Sequence, residues 1–223
     1  MTRVKICGLT REEDVDAVAD AGAHALGFIS GFPSSPRNLS IERAASLMSR
    51  LPLFANPVLV TTAEALVENS DAIKRMAPKT IQLQGGSFSS DTIRSVFRAR
   101  LIRTFPVGRE GEDNTSAPSR AKEAVKGYDA LLADTKVQGK EGGTGVTSDW
   151  AVCAGIRKAI APAPLILAGG LRPENVGVAI VAVAPFCVDV SSGVESTPGV
   201  KDISKVKAFI ANAAGAEEKM VTP

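Results

Sequence analysis

The stretch from Val4 to Ile29, VKICGLTREEDVDAVADAGAHALGFI, reads as one strand–helix–strand unit. Val4 to Cys7 is a short apolar run. Thr10, with Glu13 three residues later, has the form of a capping box. Val15, Val18 and Ala19 recur at helical spacing, and Gly22 closes the helix. A second apolar run, Ala25 to Ile29, follows.

The same alternation continues down the chain. Ser40 opens a helix carrying Ile41, Ala44, Ala45, Leu47 and Met48. Phe54 to Val60 is a third run, with Pro57 an unusual residue inside a strand. A helix is expected near Ala63 to Met76, a strand at Thr80 to Leu83, a helix at Ser90 to Arg100 and a strand at Leu101 to Phe105. The polar segment Gly108 to Ser119 reads as a loop, with a helix after it to Lys126. Ala130 to Asp134 is a sixth run, a helix follows from about Ser148 to Ile160, and Leu165 to Ala168 is a seventh run. Pro173 suits the first position of a helix reaching Val183. Phe186 to Val190 is the eighth run, and a last helix starts near Asp202. Eight strand–helix pairs in succession are what a closed (β/α)8 barrel requires. The α/β reading is therefore a single TIM barrel over residues 1–213, with 214–223 as a frayed tail. An open doubly wound sheet competes, but its G-x-G-x-x-G fingerprint after the first strand is absent.

Composition sets the outer limits. The chain has 223 residues, 44% of them hydrophobic and 22% charged, which excludes a disordered chain, a fibre and a disulfide scaffold. Lys and Arg number 26 against 24 Asp and Glu, with no basic stripe, so no nucleic-acid partner is expected. Three cysteines, Cys7, Cys153 and Cys187, make no disulfide framework. The start, MTRVKICGLTREED, turns charged too soon for a signal peptide, and no apolar run reaches the length of a membrane span. A reduced, cytoplasmic protein is expected. His24 is the single histidine, which excludes histidine-rich metal sites.

In a barrel the active site lies at the carboxyl ends of the strands. Cys7 ends the first strand, Arg37 lies in the loop after the second, and Gln82 is on the fourth, with Gln84 just beyond it. Asp134 ends the sixth, where a carboxylate is costly to desolvate. AGGL (Ala168 to Leu171) follows the seventh and VDVSSGVE (Val188 to Glu195) spans the eighth. Gly169, Gly170, Ser191, Ser192 and Gly193 suit a phosphate site, because glycine lets backbone N–H groups approach phosphate oxygens. Cys153 and Cys187 read as packing.

These segments resemble the phosphoribosylanthranilate isomerase family of tryptophan biosynthesis. The resemblance rests on VKICGLT (Val4 to Thr10), ALGFI (Ala25 to Ile29), SPR (Ser35 to Arg37), IQLQG (Ile81 to Gly85) and LLADT with GGTG and DW (Leu131 to Trp150). It continues through LAGGLRPENV (Leu167 to Val176) and VDVSSGVESTPGVKD (Val188 to Asp202), so it covers nearly the whole chain in the family's order. It implies a (β/α)8 barrel that converts N-(5-phosphoribosyl)anthranilate into 1-(o-carboxyphenylamino)-1-deoxyribulose 5-phosphate, an Amadori rearrangement needing no metal or organic cofactor. By motif match, Cys7 resembles the general base, Asp134 the general acid and Arg37 the contact to the anthranilate carboxylate. Asp189 resembles a further active-site carboxylate, and Gln82 falls among the substrate contacts. The glycine loops, including Gly143 of GGTG, resemble the phosphate grip. The family usually has histidine where Gln84 stands, and many members have a GVFVN-like run where this chain reads VLVTT.

The implied chemistry makes two demands. Asp134 must carry a proton near neutral pH, and desolvation, Asp189 and bound phosphate all push that way. Cys7 must act as thiolate, only about 3% of an ordinary thiol at pH 7. Lys5 shares the strand face of Cys7, so its charge is expected to raise that fraction while burial opposes it. The alternative is a non-catalytic or differently specific phosphosugar-binding barrel. The expected partner is a small phosphoribosyl substrate, with the chain a monomer or homodimer.

Overall fold

The structure is a computed structural model, and it describes residues 1–85, 89–108, 113–135 and 149–221. Eight parallel strands close into one barrel in chain order. In sequence the elements are β1 (Arg3–Cys7), α1 (Glu12–Asp20), β2 (Ala25–Ile29), α2 (Ile41–Met48), β3 (Asn56–Thr61), α3 (Ala63–Glu68), α4 (Ser70–Met76) and β4 (Thr80–Leu83). Next come α5 (Ser90–Val96), β5 (Arg100–Val107), α6 (Ala117–Ala124), β6 (Ala130–Thr135), α7 (Trp150–Ile160), β7 (Leu165–Leu167), α8 (Val176–Val183) and β8 (Cys187–Val190). A short antiparallel hairpin, β9 (Glu195–Thr197) and β10 (Val200–Lys201), precedes the last helix, α9 (Ile203–Val221). The (β/α)8 expectation holds.

Period-two alternation on each strand builds two shells of core. Val4, Ile6, Ile81, Leu83, Leu131, Ala133, Val188 and Val190 face the helices. Cys7, Val58, Val60, Ile102, Leu132 and Cys187 fill the barrel interior. The helices lay apolar stripes on the outer shell; on α2 these are Ile41, Ala44, Leu47 and Met48. Several caps are side-chain built, as at Ser40, Thr62 and Asp149, whose oxygens accept from Arg43 N, Ala65 N and Val152 N.

Six local expectations need correction. Thr10 does not cap α1. Its hydroxyl donates instead to the Gly199 carbonyl at 2.7 Å, and Glu13 pairs with Arg11. The third strand starts at Asn56, leaving Leu53 and Phe54 exposed, and Pro57 lies at its start, where a missing N–H is tolerated. The helix near Ala63 to Met76 is broken at Asn69, whose amide donates to the Ala65 carbonyl. The helix from Ser90 stops at Val96 because Phe97 turns extended and buries its ring. Pro173 lies in a turn ahead of α8, where Asn175 Oδ1 accepts from Arg172 N. Finally, α9 continues past Ala214 to Val221, with Ala213 and Ala216 buried, so helix stands where a frayed tail is expected.

Candidate active site

The inward-facing residues of the strands lead to one cavity. On β6, Ala130 and Leu132 point inward, and two residues on, Asp134 continues the series to the strand's carboxyl end. On β1, Lys5 and Cys7 do the same, and on β8, Cys187 and Asp189. A cavity of about 720 Å³ opens there, lined by Cys7, Arg37, Gln82, Asp134, Gly169, Gly170, Asp189, Ser191, Ser192 and Gly193. These are the expected site residues with one exception: Gly143 lies outside the described residues. Gln84, at the departure from the family pattern, also lines the cavity.

Lys5 and Asp189 are register partners across the β1–β8 seam. Lys5 Nζ donates to Asp189 Oδ1 at 2.9 Å, and the two residues are only 1% and 9% exposed, so the pair is a buried ion pair. Burial pulls the Lys5 ammonium down, but the charges of Asp189 and Cys7 outweigh it and hold it above lysine's ordinary value. Burial likewise pushes the Cys7 thiol up, and it wins over Lys5 and Lys201, which pull the thiol down. Lys5 therefore acts in the expected direction without prevailing. Cys153 and Cys187 are each pushed up to about 12 by burial, as inert packing thiols would be.

The turns after β7 and β8 are shaped by glycine. Gly169 and Gly170 both have positive φ, at 86° and 63°, in a region that side chains rarely adopt. The Asn175 amide ties this turn down by donating to the Gly170 carbonyl at 3.0 Å. Gly193 lets the β8 turn touch it: a Cβ there would lie 2.0 Å from the Leu171 carbonyl oxygen. The β8 turn itself winds into a single 3-10 turn, Ser192–Val194. Gly193→Ala should force the two turns apart, destabilising the protein by about 1–3 kcal/mol. Urea unfolding of the variant, with an unchanged m value, measures this; a midpoint equal to that of the unmodified protein would show the turns can yield freely.

Arg37 is held from behind. Its Nε and Nη2 donate to Glu195 Oε1 and Oε2 at 2.7 and 2.5 Å, a bidentate pair. Glu195 Oε1 also accepts from Lys201 Nζ at 2.9 Å. Burial alone would raise the Glu195 carboxyl, but Arg37 and Lys201 hold it below the ordinary carboxylate range. Glu195 and Lys201 do not stand out as site residues in the sequence. Their signal is the Pro198–Gly199 turn, which folds ESTPGVK into a hairpin and sets Glu195 opposite Lys201 in register.

Comparison with known proteins agrees with the geometry. The family model of N-(5'-phosphoribosyl)anthranilate (PRA) isomerase matches residues 4–212. The chain belongs to that family. A PRA isomerase of Haloferax volcanii is 42% identical over 214 residues, spanning 96% of this chain and 93% of that protein. The crystal structure of the PRA isomerase from Thermotoga maritima is 37% identical with a TM-score of 0.82, covering 96% of this chain and all of that one. A PRA isomerase solved in complex with reduced 1-(o-carboxyphenylamino)-1-deoxyribulose 5-phosphate is 35% identical, with a TM-score of 0.78 and coverage of 96% and 100%. Members of this PRA isomerase family are isomerases of tryptophan biosynthesis.

Proposed function

We propose that this chain rearranges N-(5-phosphoribosyl)anthranilate to 1-(o-carboxyphenylamino)-1-deoxyribulose 5-phosphate by general acid–base catalysis, with Asp134 as acid and Cys7 as base. The observation that carries the reading is the meeting of a thiol, a carboxylic acid and an arginine with two glycine turns in one cavity. Each group has a part in the reaction. A proton from Asp134 to the furanose oxygen breaks the C1–O bond and leaves a protonated Schiff base. That cation acidifies the C2 proton, which the Cys7 thiolate removes. The C2–H electron pair moves to form the C1–C2 double bond, neutralising the nitrogen. Tautomerisation of this enol moves a proton to C1 and leaves the C2 ketone.

The remaining lining groups suit the two anionic ends of the substrate. Gly169, Gly170, Ser191, Ser192 and Gly193 offer backbone N–H groups to the phosphate, with Gly143 assigned to the same grip. Ser191 Oγ and Gln82 Oε1 are buried without a hydrogen-bond partner among the described residues, which leaves both free for a ligand. Arg37 meets the anthranilate carboxylate, and Asp189 faces the reacting end beside Lys5. No helix among the described residues is long and apolar enough to cross a membrane. Three buried free cysteines fit a reduced, cytoplasmic setting.

The test is an isomerase assay on purified protein. N-(5-phosphoribosyl)anthranilate is generated in place and its anthranilate-type fluorescence followed to disappearance, with a protein-free blank for spontaneous hydrolysis. Rapid formation of the aminoketose supports the reading. A rate equal to the blank, with tight binding of phosphate ligands, would make the chain a binding barrel instead. Arg37→Ala should raise KM about 10- to 100-fold, as loss of a charge-assisted contact does, with kcat changed much less. An unchanged KM would remove Arg37 from the substrate.

A further inference from the structure

We propose that Glu195, anchored by Lys201, is a positioning residue that fixes the Arg37 guanidinium so that its Nη1–Nη2 edge meets the substrate carboxylate. The inference rests on the reading of Arg37 as the carboxylate contact and goes beyond it to what aims that contact.

A guanidinium has two edges that can each hold a carboxylate: the Nε–Nη2 edge and the Nη1–Nη2 edge. Glu195 occupies the first, accepting from both of its nitrogens. Arg37 lines the cavity, whereas neither Glu195 nor Lys201 does. With one edge committed behind the cavity wall, only the other edge remains for a ligand. Glu195 is itself pinned. Its side chain accepts from Lys201, whose side chain is 0% exposed, and its carbonyl accepts from Lys205 Nζ at 2.9 Å. Lys201 Nζ also donates to the Ser191 carbonyl at 3.1 Å, and its backbone N–H donates to Asp14 Oδ2 at 3.0 Å. The aiming device is thus braced on α1, on the β9–β10 hairpin and on the β8 turn.

The charges also point to an anion. Two cations, Arg37 and Lys201, share the one carboxylate of Glu195. An anionic ligand group at the open edge of Arg37 completes the balance. Glutamine cannot replace Glu195 in this arrangement. Both oxygens accept from cationic donors, and an amide would turn an N–H donor toward one of them.

The experiment is equilibrium binding of reduced 1-(o-carboxyphenylamino)-1-deoxyribulose 5-phosphate and of the same compound lacking the ring carboxylate. Glu195→Gln should weaken the carboxylated ligand about 10- to 100-fold while the other ligand binds within about threefold of its affinity for the unmutated protein. An equal loss for both ligands, as from a merely structural role, or an unchanged preference would overturn the proposal. Arg37→Ala separates this failure from that of the parent reading. If Arg37→Ala also keeps the preference, or the unmutated protein shows none, Arg37 is not the carboxylate contact. If Arg37→Ala loses the preference and Glu195→Gln keeps it, the positioning role alone falls. Should Glu195→Gln not fold, hydrogen exchange of the Arg37 Nε–H in unmutated protein decides by NMR. Protection is expected, and exchange as fast as that of an exposed arginine would overturn the assignment.

Discussion

Cys7→Ala is expected to lower kcat about 10²- to 10⁴-fold, the range over which a positioned base contributes, with a folded barrel. Folding should survive because the change removes a single buried sulfur. That sulfur sits over Gly27, 2.7 Å from where a Cβ on Gly27 would lie, and alanine leaves only a small void there. The unmodified enzyme should also carry the signature of its base in its pH profile. Burial pushes the Cys7 thiol above its ordinary value, so the thiolate is a minority form at neutral pH. Its fraction grows as pH rises while the protonated fraction of Asp134 shrinks, so the two offset one another and kcat/KM should fall only above the range in which an ordinary thiol titrates. A raised pKa makes the thiolate rarer and also a stronger base. Near-normal turnover in Cys7→Ala, or an alkaline fall in kcat/KM complete below the ordinary thiol range, would remove Cys7 from proton abstraction.

Asp134→Asn should produce a loss of the same order, about 10²- to 10⁴-fold in kcat, for a different reason. Asparagine keeps the shape and can donate a hydrogen bond to the ring oxygen, but it cannot release a proton to it. Ring opening then stalls before the C2 proton is acidified. The defect belongs to chemistry, so reduced 1-(o-carboxyphenylamino)-1-deoxyribulose 5-phosphate should bind the variant about as well as it binds the parent. Steady-state kinetics with a binding titration measure both quantities. Near-normal turnover would contradict the acid role; lost binding with unchanged kcat would make Asp134 a substrate contact.

The residues that reach the cavity were legible because strands alternate. Once Val4 to Cys7 and Ala130 to Asp134 are read as barrel strands, Cys7 and Asp134 fall at their carboxyl ends, where barrels place their chemistry. Gly169 and Gly170 were legible for the same reason, as a polar-free turn at a strand end. Boundaries were less legible where tertiary contacts override local preference. Thr10 and Glu13 have capping-box spacing, yet the Thr10 hydroxyl finds the Gly199 carbonyl, 189 residues away. Asn69 breaks a helix whose apolar pattern runs on through it. The support behind Arg37 was illegible because it joins residues 158 positions apart, and nothing local to Arg37 names Glu195.

The seam between the first and last strands has a bearing on how the protein is made. Lys5 and Asp189 close it from opposite ends of the chain, 184 residues apart. At roughly 5–20 residues per second, a ribosome takes roughly 10–40 s to travel from one to the other. Throughout that interval β1 has β2 to pair with but not β8, and Lys5 is without Asp189. A nascent chain stalled short of β8 lacks Asp189 and the Ser191 to Gly193 turn, and its cavity has no wall on that side. The cavity of this protein is therefore completed late in synthesis, when the eighth strand closes the barrel.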